Sequence, residues 1–328
     1  MSSATQRSSP GAVGMDEEHG PVLLKDATLR EGFDVPGLTL TREQRAELAT
    51  RLAELRISEV EFVAPGRFRQ DMEILRALNV RGLGFSTTGL LWAAGETFRS
   101  QVQEASVLLD RFDLLMPLSP GRPPQDPGEK TRRIVEATRV ALDLHPRVGV
   151  GFPHSTQVEI GFLQDICGQV VREGVERITL YDTNGSADPF EVMERIHRVR
   201  EVAPAVIGFH AHNDLGMATA NSLAAVRAGA TCLDVTVNGL GDRAGNASLE
   251  QVAVALSVKG VAVGVRLELL KELSAAVAAM TGIPVSPLAP IVGEFAFMHK
   301  SPNHLGISEL FEAFDPAVVR ARRTEVTE

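Results

Sequence analysis

One pattern recurs about eight times along the chain. A short apolar run is followed by a polar turn, then by a segment with apolar residues three and four apart. The run reads as a buried strand and the spaced segment as a helix with one face on a core. Strands are expected at 22–28, 59–63, 82–86, 112–118, 148–152, 178–182, 206–212 and 233–237. Helices are expected near 42–56, 68–78, 96–109, 129–144, 158–173, 189–201, 217–228 and 249–258, the first of them capped by Thr41. Roughly 250 residues of alternating strand and helix is the length of a (β/α)₈ TIM barrel. A doubly wound open sheet is the competing arrangement, and no Gly-x-Gly-x-x-Gly follows the first strand to support it. The expected fold class is therefore α/β, a (β/α)₈ TIM barrel followed by a small C-terminal subdomain. Residues 1–20, rich in Ser and Gly and then acidic, read as a disordered leader. Residues 21–262 form the catalytic barrel. Residues 263–328 are expected to form the small subdomain and tail, and no regulatory domain is expected.

Charge and cysteines narrow the function. The formal net charge of −9 argues against a general nucleic-acid binder, and no polybasic patch marks a membrane surface. No apolar run reaches membrane-spanning length. Cys167 and Cys232 stand far apart, outside any CxxC motif, and read as buried reduced thiols of a cytoplasmic protein.

In a TIM barrel, chemistry collects at the C-terminal ends of the strands. The first strand ends in Asp26-Ala27-Thr28-Leu29-Arg30-Glu31-Gly32 and the sixth in Tyr181-Asp182-Thr183-Asn184-Gly185. The seventh ends in His210-Ala211-His212-Asn213-Asp214, and the eighth runs on to Gly245-Asn246. His210 and His212, two apart at a strand end, leave on one face. They read either as metal ligands or as two hydrogen-bonded surface histidines. Glu31 adds a carboxylate and Asn246 a further oxygen, a donor set without thiolate that suits Mg²⁺, Mn²⁺ or Zn²⁺. Such a site chelates a 2-oxo acid and polarises its carbonyl. Arg30 is placed to stabilise developing negative charge, or to form a structural ion pair. Thr183 offers a hydroxyl to a substrate carboxylate, or caps its strand. Gly239, Gly241 and Gly245 read as a mobile loop, either a substrate cover or a plain rim.

These segments resemble the acyl-CoA-dependent 2-oxo-acid synthases of the DRE-TIM metallolyase superfamily, homocitrate synthase and 2-isopropylmalate synthase among them. The resemblance rests on DATLREG at 26–32, HAHNDLGMATAN at 210–221, VTVNGLGDRAGNASLE at 235–250 and PIVGEFAFMHK at 290–300, and spans about 23–316. It implies Glu31, His210 and His212 as metal ligands with Asn246 a fourth, Arg30 at the 2-oxo group, and Thr183 at the substrate carboxylate. It also implies a homodimer in which His304 moves a proton across the interface. The implied reaction is a Claisen-type condensation of acetyl-CoA with a 2-oxo acid, releasing CoA and a 2-hydroxy-2-carboxymethyl acid.

The departures lie at the substrate's far end. Phe33-Asp34 stands where the family has Glu-Gln. Pro153-His154 replaces an acidic pair, and Gln157 replaces an arginine tied to the distal carboxylate. Ser301-Pro302-Asn303-His304 and Phe295, beside Glu294, also depart from the family pattern. Asp34, His154 and Gln157 thus face an acceptor that is a 2-oxo diacid or an analogue with another anionic tail, such as a phosphonate. His154 reads as a contact to that tail or as a plain strand-end histidine. Two other readings stand beside the synthase. One is the reverse reaction, that of a hydroxymethylglutaryl-CoA lyase or a 4-hydroxy-2-oxo acid aldolase. The other is a barrel that binds a metal and a 2-oxo acid without turnover.

Overall fold

A computed structural model of the chain describes residues 20–80, 82–118 and 126–327. The expected leader lies almost wholly outside the described residues. Eight parallel strands close into a barrel in sequence order: β1 (Leu23–Asp26), β2 (Glu59–Val63), β3 (Ser86–Trp92), β4 (Phe112–Leu115), β5 (Val148–Phe152), β6 (Arg177–Asp182), β7 (Val206–Ala211) and β8 (Cys232–Val235). The TIM-barrel expectation holds. A one-turn helix, α1 (Thr28–Glu31), leaves β1, and the outer ring follows as α2 (Arg42–Glu54), α3 (Phe68–Leu78), α4 (Phe98–Leu108), α5 (Pro127–Leu142), α6 (Ile160–Arg172), α7 (Pro189–Arg200), α8 (Ala218–Arg227) and α9 (Leu249–Val258).

Local sequence explains the helix starts. Thr41 and Gln44 form a reciprocal capping box at α2, and Asp188 and Glu191 do the same at α7, where Pro189 opens the helix. The third strand departs from expectation, beginning at Ser86 rather than at Gly82. Gly82 and Gly84 take φ of +87° and +94°, which a strand does not accommodate, and the β-branched Thr87-Thr88 pair carries the ladder instead.

Alternation along the strands sorts two different interiors. Val60, Phe112, Val150, Ile178, Phe209 and Leu233 point outward and join the helices in one large apolar core. The inward positions are largely charged or small: Lys25, Glu59, Glu61, Asp113, Arg177 and Asp234, with Gly149 and Gly151 on β5. The glycines make room, since a Cβ at Gly149 would collide with Asp113 Oδ1 and one at Gly151 would sit 2.9 Å from the Tyr181 ring. Near the N-terminal end of the barrel, Arg177 holds Glu59 at 2.7 Å and Asp113 at 3.2 Å, all buried. Both cysteines are buried and unpaired; Cys232 lies 3.3 Å from Arg177, and burial pushes its thiol up to about 12.

After the barrel, α10 (Leu270–Thr281) packs back on it. Ser274 exchanges hydrogen bonds with Asn238, and Gln44 donates to the Met280 carbonyl at 3.2 Å. This helix was not anticipated from sequence. Two short strands, β9 (Met298–His299) and β10 (Thr324–Glu325), then pair in parallel. No helix among the described residues is long and apolar enough to cross a membrane.

Removing the Arg177 guanidinium leaves the buried Glu59 and Asp113 with only the longer contacts, 3.7 Å each, to Arg111. Arg177→Met is expected to lower the unfolding free energy by about 3–5 kcal/mol in urea titrations. A loss within about 0.5 kcal/mol, the range of a neutral surface substitution, would show that the pair contributes little.

Candidate metal centre and acid pocket

The barrel register assembles the site. Lys25 pairs with Asp234 across β1–β8, His210 with Asp234 across β7–β8, and Tyr181 with His210 across β6–β7. Strand pairing therefore sets four interior side chains in one row. The Asp26 carboxylate shapes the turn after β1. It accepts from the Thr28 amide and hydroxyl, each at 2.9 Å, and the Thr28 hydroxyl accepts from Val237 N at 2.9 Å. This knot turns the chain into α1 and aims Arg30 and Glu31 over the barrel mouth. Burial raises the Asp26 carboxyl to about 7.

Glu31, His210 and His212 come together: each offers a ligand atom, and these atoms lie within 4.8 Å of one another. All three side chains are buried. His210 Nε2 is 3.3 Å from His212 Nε2 and 3.4 Å from Glu31 Oε1. The His210 ring lies against Tyr181, centroids 4.6 Å apart and nearly parallel. Its Nδ1 meets Asp234 Oδ2 at 2.9 Å, which turns Nε2 toward Glu31 and His212. Burial, His210 and the cations Arg243 and Arg30 push His212 down to about 2, keeping it in the neutral form that ligates metals.

Two observations test whether a divalent ion fits. Asn246, paired with His212 in an isolated bridge, has its Oδ1 buried without a hydrogen-bond partner. The local charge also favours a cation. Lys25 and Arg30 meet Glu31, Glu61 and Asp234, one carboxylate more than cations, in a buried setting. The residues fit a divalent ion held by one carboxylate, two imidazoles and a carboxamide oxygen. The surface-histidine reading does not describe this pair, because both histidines are buried.

Arg30 is ion-paired to Glu31 and, through Nε at 2.5 Å, to Glu61, yet its Nη2 is buried with no partner. Burial opposes the charge, but Glu31 and Glu61 hold it firmly protonated. The structure thus shows the ion-pair reading of Arg30 and leaves one of its donors free. Thr183 behaves similarly. Its hydroxyl accepts from His154 N at 2.8 Å, which leaves the O–H to donate. His154 sits in the left-handed region at φ +64°, and its Nδ1 meets Gln157 Oε1 at 2.9 Å, so Thr183, His154 and Gln157 form one cluster at the β5 and β6 ends. Asp34 stands elsewhere, paired with Arg67 at 2.5 Å, and Arg67 also donates to the Arg30 carbonyl at 2.9 Å. His304 is stacked on Phe311 at 3.8 Å and lies 3.4 Å from His299, whose other nitrogen meets Glu312. These are contacts within the C-terminal segment.

The glycine loop after β8 is tied down at several points. Arg243 grips Asp214 at 2.7 and 2.9 Å and the Thr183 carbonyl at 2.8 Å, linking the β6, β7 and β8 ends. Asn246 N donates to Gly239 O, and a Cβ at Gly241 would fall 2.7 Å from Asn246 Oδ1, so glycine there lets the carboxamide sit. Sequence reasoning missed Lys25, Glu61, Asp234, Tyr181 and Arg67. The alternation Glu59-Val60-Glu61-Phe62 carried a signal, since inward positions of a closed barrel need partners when charged.

Fold and site define a TIM barrel with a Glu–His–His cluster beside a buried arginine at its C-terminal end. Residues 22–277 match the HMGL-like family, and the chain belongs to that family. It is 35% identical over 306 residues to a probable 2-isopropylmalate synthase of Methanopyrus kandleri, covering 90% of this chain and 60% of that one. It is 33% identical over 317 residues to a homocitrate synthase of the same organism, covering 92% and 77%. An HMG-CoA lyase structure from Brucella melitensis shares the fold at TM-score 0.68 and 19% identity, covering 80% of this chain and 99% of that chain.

His212→Ala is expected to abolish Mn²⁺ binding, read by electron paramagnetic resonance, while circular dichroism stays that of a folded barrel. Unchanged Mn²⁺ affinity would remove His212 from the ligand set.

Proposed function

We propose that this protein is a divalent-metal-dependent acyltransferase that condenses acetyl-CoA with a 2-oxo acid, as homocitrate and 2-isopropylmalate synthases do. The observation that carries the reading is the buried Arg30 Nη2, free of partners, next to the Glu31–His210–His212 cluster. A bound divalent ion supplies Lewis-acid polarisation of the acceptor's keto group. Arg30 donates to the keto oxygen and stabilises the negative charge that grows there as the new bond forms. Thr183 donates its hydroxyl to the acceptor carboxylate and orients it. The acetyl methyl gives a proton to a base, and its carbon bonds the keto carbon as the C=O π pair moves to oxygen and takes up a proton; water then adds to the thioester carbonyl and CoA leaves as the thiol. His304 is proposed for proton transfer from a second copy of the chain on the strength of the family resemblance; within its own chain it contacts His299 and Phe311.

The acceptor is narrowed by its tail. The Methanopyrus kandleri relatives bear names for two different products at 35% and 33% identity, so likeness alone does not choose. Asp34 is neutralised by Arg67, and the polar pair His154–Gln157 stands beyond Thr183. This supports an acceptor with a hydrogen-bonding or anionic tail, a 2-oxo diacid or a phosphonate-bearing 2-oxo acid, over one with a branched apolar tail.

The test is thiol release from acetyl-CoA with Mg²⁺, Mn²⁺ or Zn²⁺ and a panel of pyruvate, 2-oxoisovalerate, 2-oxoglutarate and phosphonopyruvate. Turnover is expected with the anionic-tailed acids. If no acid releases CoA while a hydroxyacyl-CoA or a 4-hydroxy-2-oxo acid is cleaved, the chain runs the reverse chemistry. Arg30→Lys is expected to lower kcat by about 10²–10³ with a smaller change in acceptor KM. An equal loss confined to KM would assign Arg30 to binding alone.

A further inference from the structure

Lys25 lies on β1 inside the barrel and is fully buried. Its ammonium is 2.8 Å from Glu61 Oε2 and 3.0 Å from Asp234 Oδ2. Each carboxylate carries one arm of the metal centre. Asp234 Oδ2, the same oxygen that meets Lys25, lies 2.9 Å from His210 Nδ1. Glu61 uses its other oxygen, Oε1, to hold Arg30 Nε at 2.5 Å, and Arg30 in turn pairs with Glu31. Glu31 Oε1 closes the circuit at 3.4 Å from His210 Nε2. The six side chains form one buried ring with Lys25 opposite the ligand atoms.

We propose that Lys25 is a positioning residue: its ammonium locks the imidazole arm and the arginine–carboxylate arm of the metal centre in one geometry. Asp234 Oδ1 is buried with no partner, so Lys25 and His210 alone fix the rotation of that carboxylate. Without the ammonium, Asp234 turns and the His210 ring loses the partner that orients it. Glu61 keeps Arg30 but loses its second anchor. Partners of this kind, which hold a metal ligand from behind, typically affect metal affinity by about 10–100-fold. Lysine meets the need as one point donor to two carboxylates that approach from different strands.

The inference rests on the metal-centre reading, and one titration separates the two. Wild type, Lys25→Met, Lys25→Gln and Arg177→Met are titrated with Mn²⁺ by electron paramagnetic resonance, with stability followed in urea. Arg177 is an equally buried cation whose ion pairs go to Glu59 and Asp113 and to none of the six ring side chains, so it reports what loss of a structural cation does by itself. Lys25→Met and Lys25→Gln are expected to weaken Mn²⁺ binding at least about 10-fold and to broaden the bound-Mn²⁺ signal as the ligand geometry spreads. Arg177→Met is expected to leave the affinity of the folded protein unchanged. If wild type binds no Mn²⁺, the metal-centre reading falls. If wild type binds and both folded Lys25 variants match its affinity and signal, the positioning role is overturned. If neither Lys25 variant folds, or Arg177→Met loses affinity equally, the lysine is a stability residue and the proposal also fails.

Discussion

A barrel filled with charge constrains everything else in this molecule. Eight parallel strands enclose Lys25, Glu59, Glu61, Asp113, Arg177 and Asp234 where apolar side chains would satisfy packing more simply. Buried charges are tolerated only when paired and hydrogen-bonded. The pairing in turn depends on strand register, because partners come from different strands: Lys25 with Asp234 across β1–β8, Arg177 with Glu59 from β6 to β2. A slip of one residue would turn these charges toward the helices and the apolar residues into the barrel. The ionic interior thus demands one closed register, and that register delivers His210 beside Asp234 and Tyr181.

Two ends of the barrel use the same chemistry for different purposes. Arg177 near the N-terminal end is enclosed by carboxylates and supports the fold. Arg30 at the C-terminal end is held by Glu31 and Glu61; each guanidinium keeps one buried nitrogen unpartnered, Nη2 on Arg30 and Nε on Arg177. The difference lies in what surrounds each guanidinium. Above Arg30 the strands have ended, and the loops carrying Thr183, His212 and Asn246 leave a polar mouth. Arg243 ties those loops together through Asp214 and the Thr183 carbonyl, so the rim is organised by ion pairing as well.

Much of the architecture is legible in the chain itself. Strand–helix alternation identifies the barrel, and the helix over 68–78 falls where its spacing places it. Glu31, His210 and His212 are marked by their position at strand ends, and they do meet. The third strand is misplaced by its sequence because Leu83 and Phe85 mimic a buried run, while the positive φ of Gly82 and Gly84 makes that stretch a turn. Lys25 reads only as part of an apolar strand, since a single charge in such a run discloses no partner. Asp34 groups with His154 and Gln157 by sequence, yet Arg67 draws it to the β2 end, and a contact 33 residues apart leaves no local signal.

By itself the sequence determined the periodicities, the caps and the chemical identity of the donors, because these depend on residue type and on neighbours within a turn or a strand. Tertiary structure decided which charges neutralise one another, which ring nitrogen of His210 faces the cluster, and which donor of Arg30 remains free. Those outcomes depend on register and closure across strands far apart in the chain. Electrostatic pairing in a buried interior acts through space, and only the folded barrel sets the distances.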